Sequence, residues 1–228
     1  MKIENNIIRE YLKNVYFITG TAYAGKSTAC AMLAEKYGLV HCGENYCTDF
    51  FLSVAQPDRQ PNMCWFSQIK DWQTFVMRDP DEYEQWINGN SRELAEFEVA
   101  ELISISEGNR VIVDTNIPID ILREISDYSR VAVMLSPQSM SIDRFFDRND
   151  PEKRFLLEQI NMAADPDAAM ANFRECLSRV NSKAVYDEYA HSGFFTLVRD
   201  DDGRDTRQEV IGKLAEHFGF DDDIIVCD

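Results

Sequence analysis

The stretch Val15-Tyr16-Phe17-Ile18-Thr19-Gly20-Thr21-Ala22-Tyr23-Ala24-Gly25-Lys26-Ser27-Thr28 decides how the chain is read. Its first five residues are apolar, aromatic or β-branched and stop at a glycine, which predicts a short buried strand. After Lys26 the period changes. Ala29, Met32, Leu33 and Tyr37 recur at helical spacing and Gly38 ends the pattern, so a helix follows. The residues between fit G-x-x-x-x-G-K-[ST], and they fall where that string has a physical meaning, between a strand and a helix. Backbone N–H groups of such a loop point at a phosphate, the lysine reaches the outer phosphates, and the hydroxyl can hold magnesium. Gly20, Thr21, Ala22, Tyr23, Ala24, Gly25, Lys26, Ser27 and Thr28 are therefore the expected nucleotide-binding residues, with ATP and Mg2+ as the expected ligands.

Working outward, Leu39-Val40-His41-Cys42, Val111-Ile112-Val113, Val131-Ala132-Val133-Met134-Leu135 and Phe194-Phe195-Thr196-Leu197-Val198 read as four more strands, with helical periodicity between them. Alternation of this kind is the signature of an α/β fold with a mostly parallel sheet. The gap from Gly43 to Arg110 far exceeds a loop of about 2–6 residues and one crossover helix. It holds a Pro-punctuated loop from Gln56 to Cys64, three tryptophans (Trp65, Trp72 and Trp86) and a helix expected from about Ser91 to Ser106. The last helix turns Val210, Ile211, Leu214 and Phe218 inward. Asp221-Asp222-Asp223 and an apolar tail follow it, and the tail is expected to pair at a sheet edge.

Composition narrows the function. The chain has 228 residues, 45% of them hydrophobic and 28% charged, and a net charge of −17 from 23 basic and 40 acidic residues. That charge repels phosphate polymers and anionic membranes, so neither nucleic acid nor a membrane is an expected partner. No apolar run approaches the roughly 20 residues of a membrane-spanning helix, and the first residues lack a signal-peptide core, which leads us to expect a cytoplasmic protein. Six cysteines without a C-x-x-C pair read as free thiols. His41, Cys42, Cys47 and Cys64 match no zinc-finger or zinc-ribbon spacing.

Asp114 closes the third strand, where a carboxylate can hold magnesium beside a bound nucleotide; the other reading of a strand-terminal Asp is a turn cap. Downstream, Arg144, Arg148 and Arg154 form a compact basic cluster in an acidic protein. Arg144 and Arg148, four residues apart, are expected on one helix face, where like charges call for an anion. Asn149-Asp150-Pro151 breaks that helix and puts Arg154 on a second one. Against this, Asp143, Asp147 and Glu152 could simply neutralise the arginines on a solvated surface.

The chain resembles the small P-loop kinases of the nucleoside monophosphate kinase and shikimate kinase type. The likeness rests on the Gly20–Ser27 string, on Asp114-Thr115-Asn116-Ile117-Pro118, which looks like the D-G-F-P-R segment of that family, and on the arginine cluster. It implies one three-layer domain over 1–228 with sheet order 2-3-1-4-5, an acceptor-binding insert over 43–108, and a lid over 138–160 whose Arg148 assists catalysis. Two positions depart from the family: Tyr23 stands where many of those kinases have glycine, and Ile119 where D-G-F-P-R ends in arginine.

The acceptor side offers fewer signals. Asp49, shortly after the second strand, is the candidate for orienting the acceptor or taking its proton, and Arg59 could hold one phosphate or carboxylate. Trp65 and Trp72 could stack on a ring, although such spacing also suits a core. The expected activity is ATP-dependent phosphoryl transfer from the γ-phosphate to a small-molecule acceptor, a hydroxyl or a nucleotide. The alternative is a P-loop ATPase or GTPase acting as a switch through a protein partner, against which the sequence shows no N-K-x-D string and no D-x-x-G after the third strand.

Overall fold

Five strands carry the fold: β1 Val15–Gly20, β2 Val40–Cys42, β3 Val111–Asp114, β4 Val131–Leu135 and β5 Phe195–Val198. All pair in parallel in the order β2-β3-β1-β4-β5, with Val15 beside Val111 and Gly20 beside Met134. The computed structural model that gives this arrangement describes residues 3–147, 151–199 and 204–220. Arg148 and the apolar tail lie outside the described residues.

Every residue of β1, β3 and β4 is buried, as a parallel sheet covered on both faces requires. Alternation along each strand sorts its side chains between two cores. Tyr16, Ile18, Ile112, Ala132 and Met134 face α2 (Lys26–Tyr37) and α12 (Arg207–Phe218). Val15, Phe17, Val111, Val113, Val131, Val133 and Leu135 face the other way. There they meet α1 (Asn5–Tyr11), the second half of α6 (Pro80–Ile105), α7 (Ile119–Ile125) and α11 (Lys183–Ala190). As the spacing predicts, α2 buries Ala29, Leu33 and Tyr37 and ends on left-handed Gly38, while α12 buries Ile211, Leu214 and Phe218.

The helix expected from Ser91 begins eleven positions earlier. Asp79 Oδ1 accepts from the N–H groups of Asp81 and Glu82, Pro80 occupies the first turn, and α6 then runs 26 residues to Ile105, about 39 Å. Its amphipathic stripe changes partner midway, which hides its length from a single-face reading. The first half buries Tyr83 and Trp86 in a third, aromatic core; the second lays Ala95 and Leu102 on the sheet. Around it the insert forms α3 (Thr48–Val54), α4 (Pro61–Ser67) and α5 (Gln73–Val76). The expected loop from Gln56 therefore stops at Gln60, because Pro61 starts α4 instead of breaking a chain already extended.

Beyond β4 come α8 (Gln138–Asp143), α9 (Pro151–Asn161) and α10 (Pro166–Val180). Because α8 ends at Asp143, Arg144 sits at its C-cap with non-helical dihedrals, outside the helix on which the sequence placed it. Trp86 is buried in the aromatic core, and Trp65 and Trp72 pack against it partly buried: Trp65 lies edge-on to Trp86 with ring centroids 5.4 Å apart, and the Arg78 guanidinium lies 3.9 Å over its ring. Cys30, Cys42, Cys47, Cys64 and Cys176 are free thiols. No helix among the described residues is long and apolar enough to cross a membrane.

Candidate functional site

The helices that follow β1 and β3 leave on opposite faces of the sheet, α2 into one core and α7 into the other. Divergence of this kind opens a crevice at the carboxyl ends of neighbouring strands. Residues 20–27 and Asp114 both border it.

The loop from Gly20 is held down by the end of β4. A Cβ at Gly20, where φ is +130°, would lie 1.9 Å from the Met134 carbonyl oxygen, so only glycine permits this approach. Thr21 N–H donates to that carbonyl at 3.0 Å, and Ser136 N–H donates to Thr21 Oγ1 at 2.8 Å. The Ala22 carbonyl accepts from both Ser136 Oγ (2.6 Å) and Ser141 Oγ (3.2 Å). Gly25 takes φ +93° to cap α2, and no side chain caps the first-turn amides of that helix, which also carries no acidic residue in its first turn. Those N–H groups and the positive end of the helix dipole are left for an anion.

Tyr23 answers the departure noted in the sequence. It adopts the glycine-like φ of +67°, a conformation that costs a bulky residue on the order of 1–3 kcal/mol. Its surroundings offset that cost: its hydroxyl donates to the Arg144 carbonyl, its own carbonyl accepts from Arg199 Nη1 at 2.9 Å, and Lys153 Nζ lies 5.2 Å over its ring.

Lys26 folds back inside the loop. Its Nζ donates to the Thr21 carbonyl at 3.3 Å and lies 3.9 Å from Asp114 Oδ1, while Ser27 Oγ donates to Asp114 Oδ2 at 2.6 Å. Asp114 is 2% exposed. Burial pushes its carboxyl above the ordinary range, against the opposing pull of the Lys26 ammonium and the Ser27 hydroxyl. Its Oδ1 has no hydrogen-bond partner. A hydroxyl and a carboxylate with an unclaimed oxygen are a donor set suited to magnesium, which is usually held by one or two protein oxygens plus phosphate and water. Among the described residues no group of three or more His, Cys, Asp or Glu converges on a metal geometry.

On the far side of Asp114 lies a niche of about 10 Å³, bordered by Asn45, Tyr46, Phe51, Leu94, Glu98 and Asn116. Two of its groups are orphans: Glu98 Oε1 and the Tyr46 hydroxyl are buried without a hydrogen-bond partner. Glu98 is 5% exposed, and burial raises its carboxyl to about 7, partly countered by a hydrogen bond from the Thr115 side chain. Asn116 Nδ2 donates to Glu44 Oε1 at 3.0 Å. Phe51 also borders a wider groove of about 540 Å³, lined by residues of α3 and α6, among them Phe50, Val54 and Phe97, and by Arg59 of the loop between α3 and α4.

The structure thus brings Lys26, Ser27 and Asp114 together and leaves other sequence candidates apart. Thr28 is exposed beside Ser27 in the first turn of α2. Asp49 is exposed in the first turn of α3 and lines neither cavity. Arg59 is exposed beside Asp58, at 3.7 Å, on the rim of the groove. Arg144 and Arg154 are exposed, in a segment whose Lys153 covers Tyr23. Arg148 falls outside the described residues.

Sequence reasoning missed Glu98, Tyr46, Ser136, Ser141 and Arg199. For Glu98 a signal existed: Ala95, Glu98 and Leu102 are spaced three and four apart, so the glutamate shares their buried stripe. A scan of protein-family models gives no match to this chain, and no curated protein matches it.

Proposed function

We propose that this protein is a P-loop kinase of the three-layer type, transferring the γ-phosphoryl group of ATP to a small-molecule acceptor. The observation that carries the reading is the convergence of a glycine-shaped loop with uncapped helix amides, an inward lysine, and a Ser27–Asp114 pair on one crevice. In this reading the amides of residues 21–27 and the Lys26 ammonium hold the phosphate chain and take up charge as the terminal phosphoryl group transfers. Magnesium at Ser27 and Asp114 would neutralise phosphate charge. Arg144, Arg148 and Arg154 belong to the segment that would close over the nucleotide, and the insert that contributes α3 and α6 would receive the acceptor.

The test is ADP formation from Mg·ATP in the presence of candidate acceptors, for wild type and Lys26→Met. A kinase forms ADP in proportion to the acceptor consumed, and Lys26→Met loses on the order of 10²–10³-fold in turnover with an unchanged circular dichroism spectrum. Undiminished turnover in Lys26→Met overturns the reading. Acceptor-independent hydrolysis accelerated by a protein partner transfers it to the switch class.

A further inference from the structure

Resting on that reading, the niche between Tyr46 and Glu98 bears on what the acceptor is. Three polar atoms at its walls, Glu98 Oε1, the Tyr46 hydroxyl and Asp114 Oδ1, are buried with no hydrogen bond. Buried polar groups in folded proteins are almost always paired, so each orphan calls for a partner the chain does not supply. Two of the three atoms are carboxylate oxygens, and no basic side chain lines the niche. A phosphate or carboxylate there would set its oxygens against two carboxyl groups, and Lys26 Nζ, 3.9 Å from Asp114 Oδ1, already serves the phosphate loop. A hydroxyl fits on both counts, since it donates to a carboxylate and accepts from a phenol. At about 10 Å³ the niche takes one water-sized group and no more. Phe51 lines both the niche and the groove of about 540 Å³, which has room for the rest of a small molecule. The other wall, Asp114, is hydrogen-bonded to Ser27 of the phosphate loop.

We infer that this niche is the acceptor's hydroxyl subsite, with Glu98 and Tyr46 as its ligands, and that the acceptor is an alcohol which does not react through a phosphate oxygen. In the transfer the alcohol oxygen bonds to the γ-phosphorus as the bond from that phosphorus to the β-γ bridging oxygen breaks. ADP leaves with the electron pair of the broken bond, and the alcohol proton passes to the Glu98 carboxylate and on to solvent.

The experiment offers the full-length protein Mg·ATP and a set of nucleosides and free sugars, each paired with its own monophosphate, and identifies products by phosphorus NMR. The expected product is a phosphomonoester on an alcohol, and the monophosphates do not become diphosphates. Glu98→Gln, close to isosteric, and Tyr46→Phe each lower kcat/KM for that alcohol by roughly 10- to 100-fold, the size of a hydrogen bond to a buried charged group, while ATP affinity measured by calorimetry stays at the wild-type value. Diphosphate products, or acceptor kinetics indifferent to both substitutions, overturn the inference and leave the kinase reading standing. Absence of acceptor-dependent ADP from every pair, with ATP still bound, overturns both.

Discussion

The two sides of Asp114 are built on opposite terms. Toward β4, the Thr21 hydroxyl, the Ala22 carbonyl and the Ser136 N–H and hydroxyl are all bonded to one another within the chain. Toward α6, Glu98 Oε1 and the Tyr46 hydroxyl are just as hidden and bonded to nothing. A satisfied network fixes geometry and adds stability; an unsatisfied one sacrifices stability for a group yet to arrive. On the proposed function, the contrast separates a half that would hold its shape before a ligand binds from a half whose polar groups the ligand would complete.

Substitutions on the two sides should accordingly differ in sign. Gly20→Ala should have the largest effect, since the new methyl group meets the Met134 carbonyl and breaks the Thr21–Met134 hydrogen bond. Urea denaturation should show a loss of about 4 kcal/mol or more, the upper range for a single substitution. A loss below about 1 kcal/mol would mean the loop relaxes freely, and the contrast would collapse.

Next in size is the dependence of stability on pH through Glu98. Its carboxyl is raised from 4.5 to about 7 in the folded chain, so between those values the native state binds more protons than the unfolded state. Stability present below 4.5 is lost as pH rises through 7, by about 3 kcal/mol. Asp114, which faces Glu98 and adds to the effect, remains in both proteins. Glu98→Gln should therefore overtake the wild type in stability at about pH 8 relative to about pH 5, measured by urea midpoints. Parallel pH profiles for the two proteins would show the carboxylate to be solvated. Tyr46→Phe should give the smallest change, a gain of about 1 kcal/mol from deleting an unpaired buried hydroxyl. A loss of stability on thermal melting would instead reveal a bonded hydroxyl and sharpen the boundary between the halves.

Much of the first half was legible in the sequence, because its determinants are local. The strand, the glycines and the helix of residues 15–38 follow each other without interruption, and the all-buried patterns of β3 and β4 announce a covered parallel sheet. The second half depends on contacts between distant segments. Tyr46, in the turn before α3, meets Glu98 of α6 through contacts such as that of Phe51 with Phe97, and only Glu98, on the buried stripe of its helix, had a spacing that could have marked it. Pro61 looked like a loop residue until its position at the first turn of α4 gave it a helical role, the role Pro80 has in α6. Asp49 drew attention by its distance from β2 along the chain, whereas the carboxylate that borders Asp114 comes from the middle of a helix.

Tyr23 also carries a consequence for the order in which the molecule assembles. The two hydrogen bonds that tie its side chain and carbonyl reach residues 121 and 176 positions away, Arg144 and Arg199. Loops that long close late, after strand pairing has brought their ends near. During synthesis, β1 and α2 emerge early with the whole phosphate-binding string in them, yet the left-handed turn at Tyr23 gains its second tie only when β5 has docked and delivered Arg199. On the proposed function, the nascent chain would gain the full shape of its phosphate loop only once the far edge of the sheet is in place.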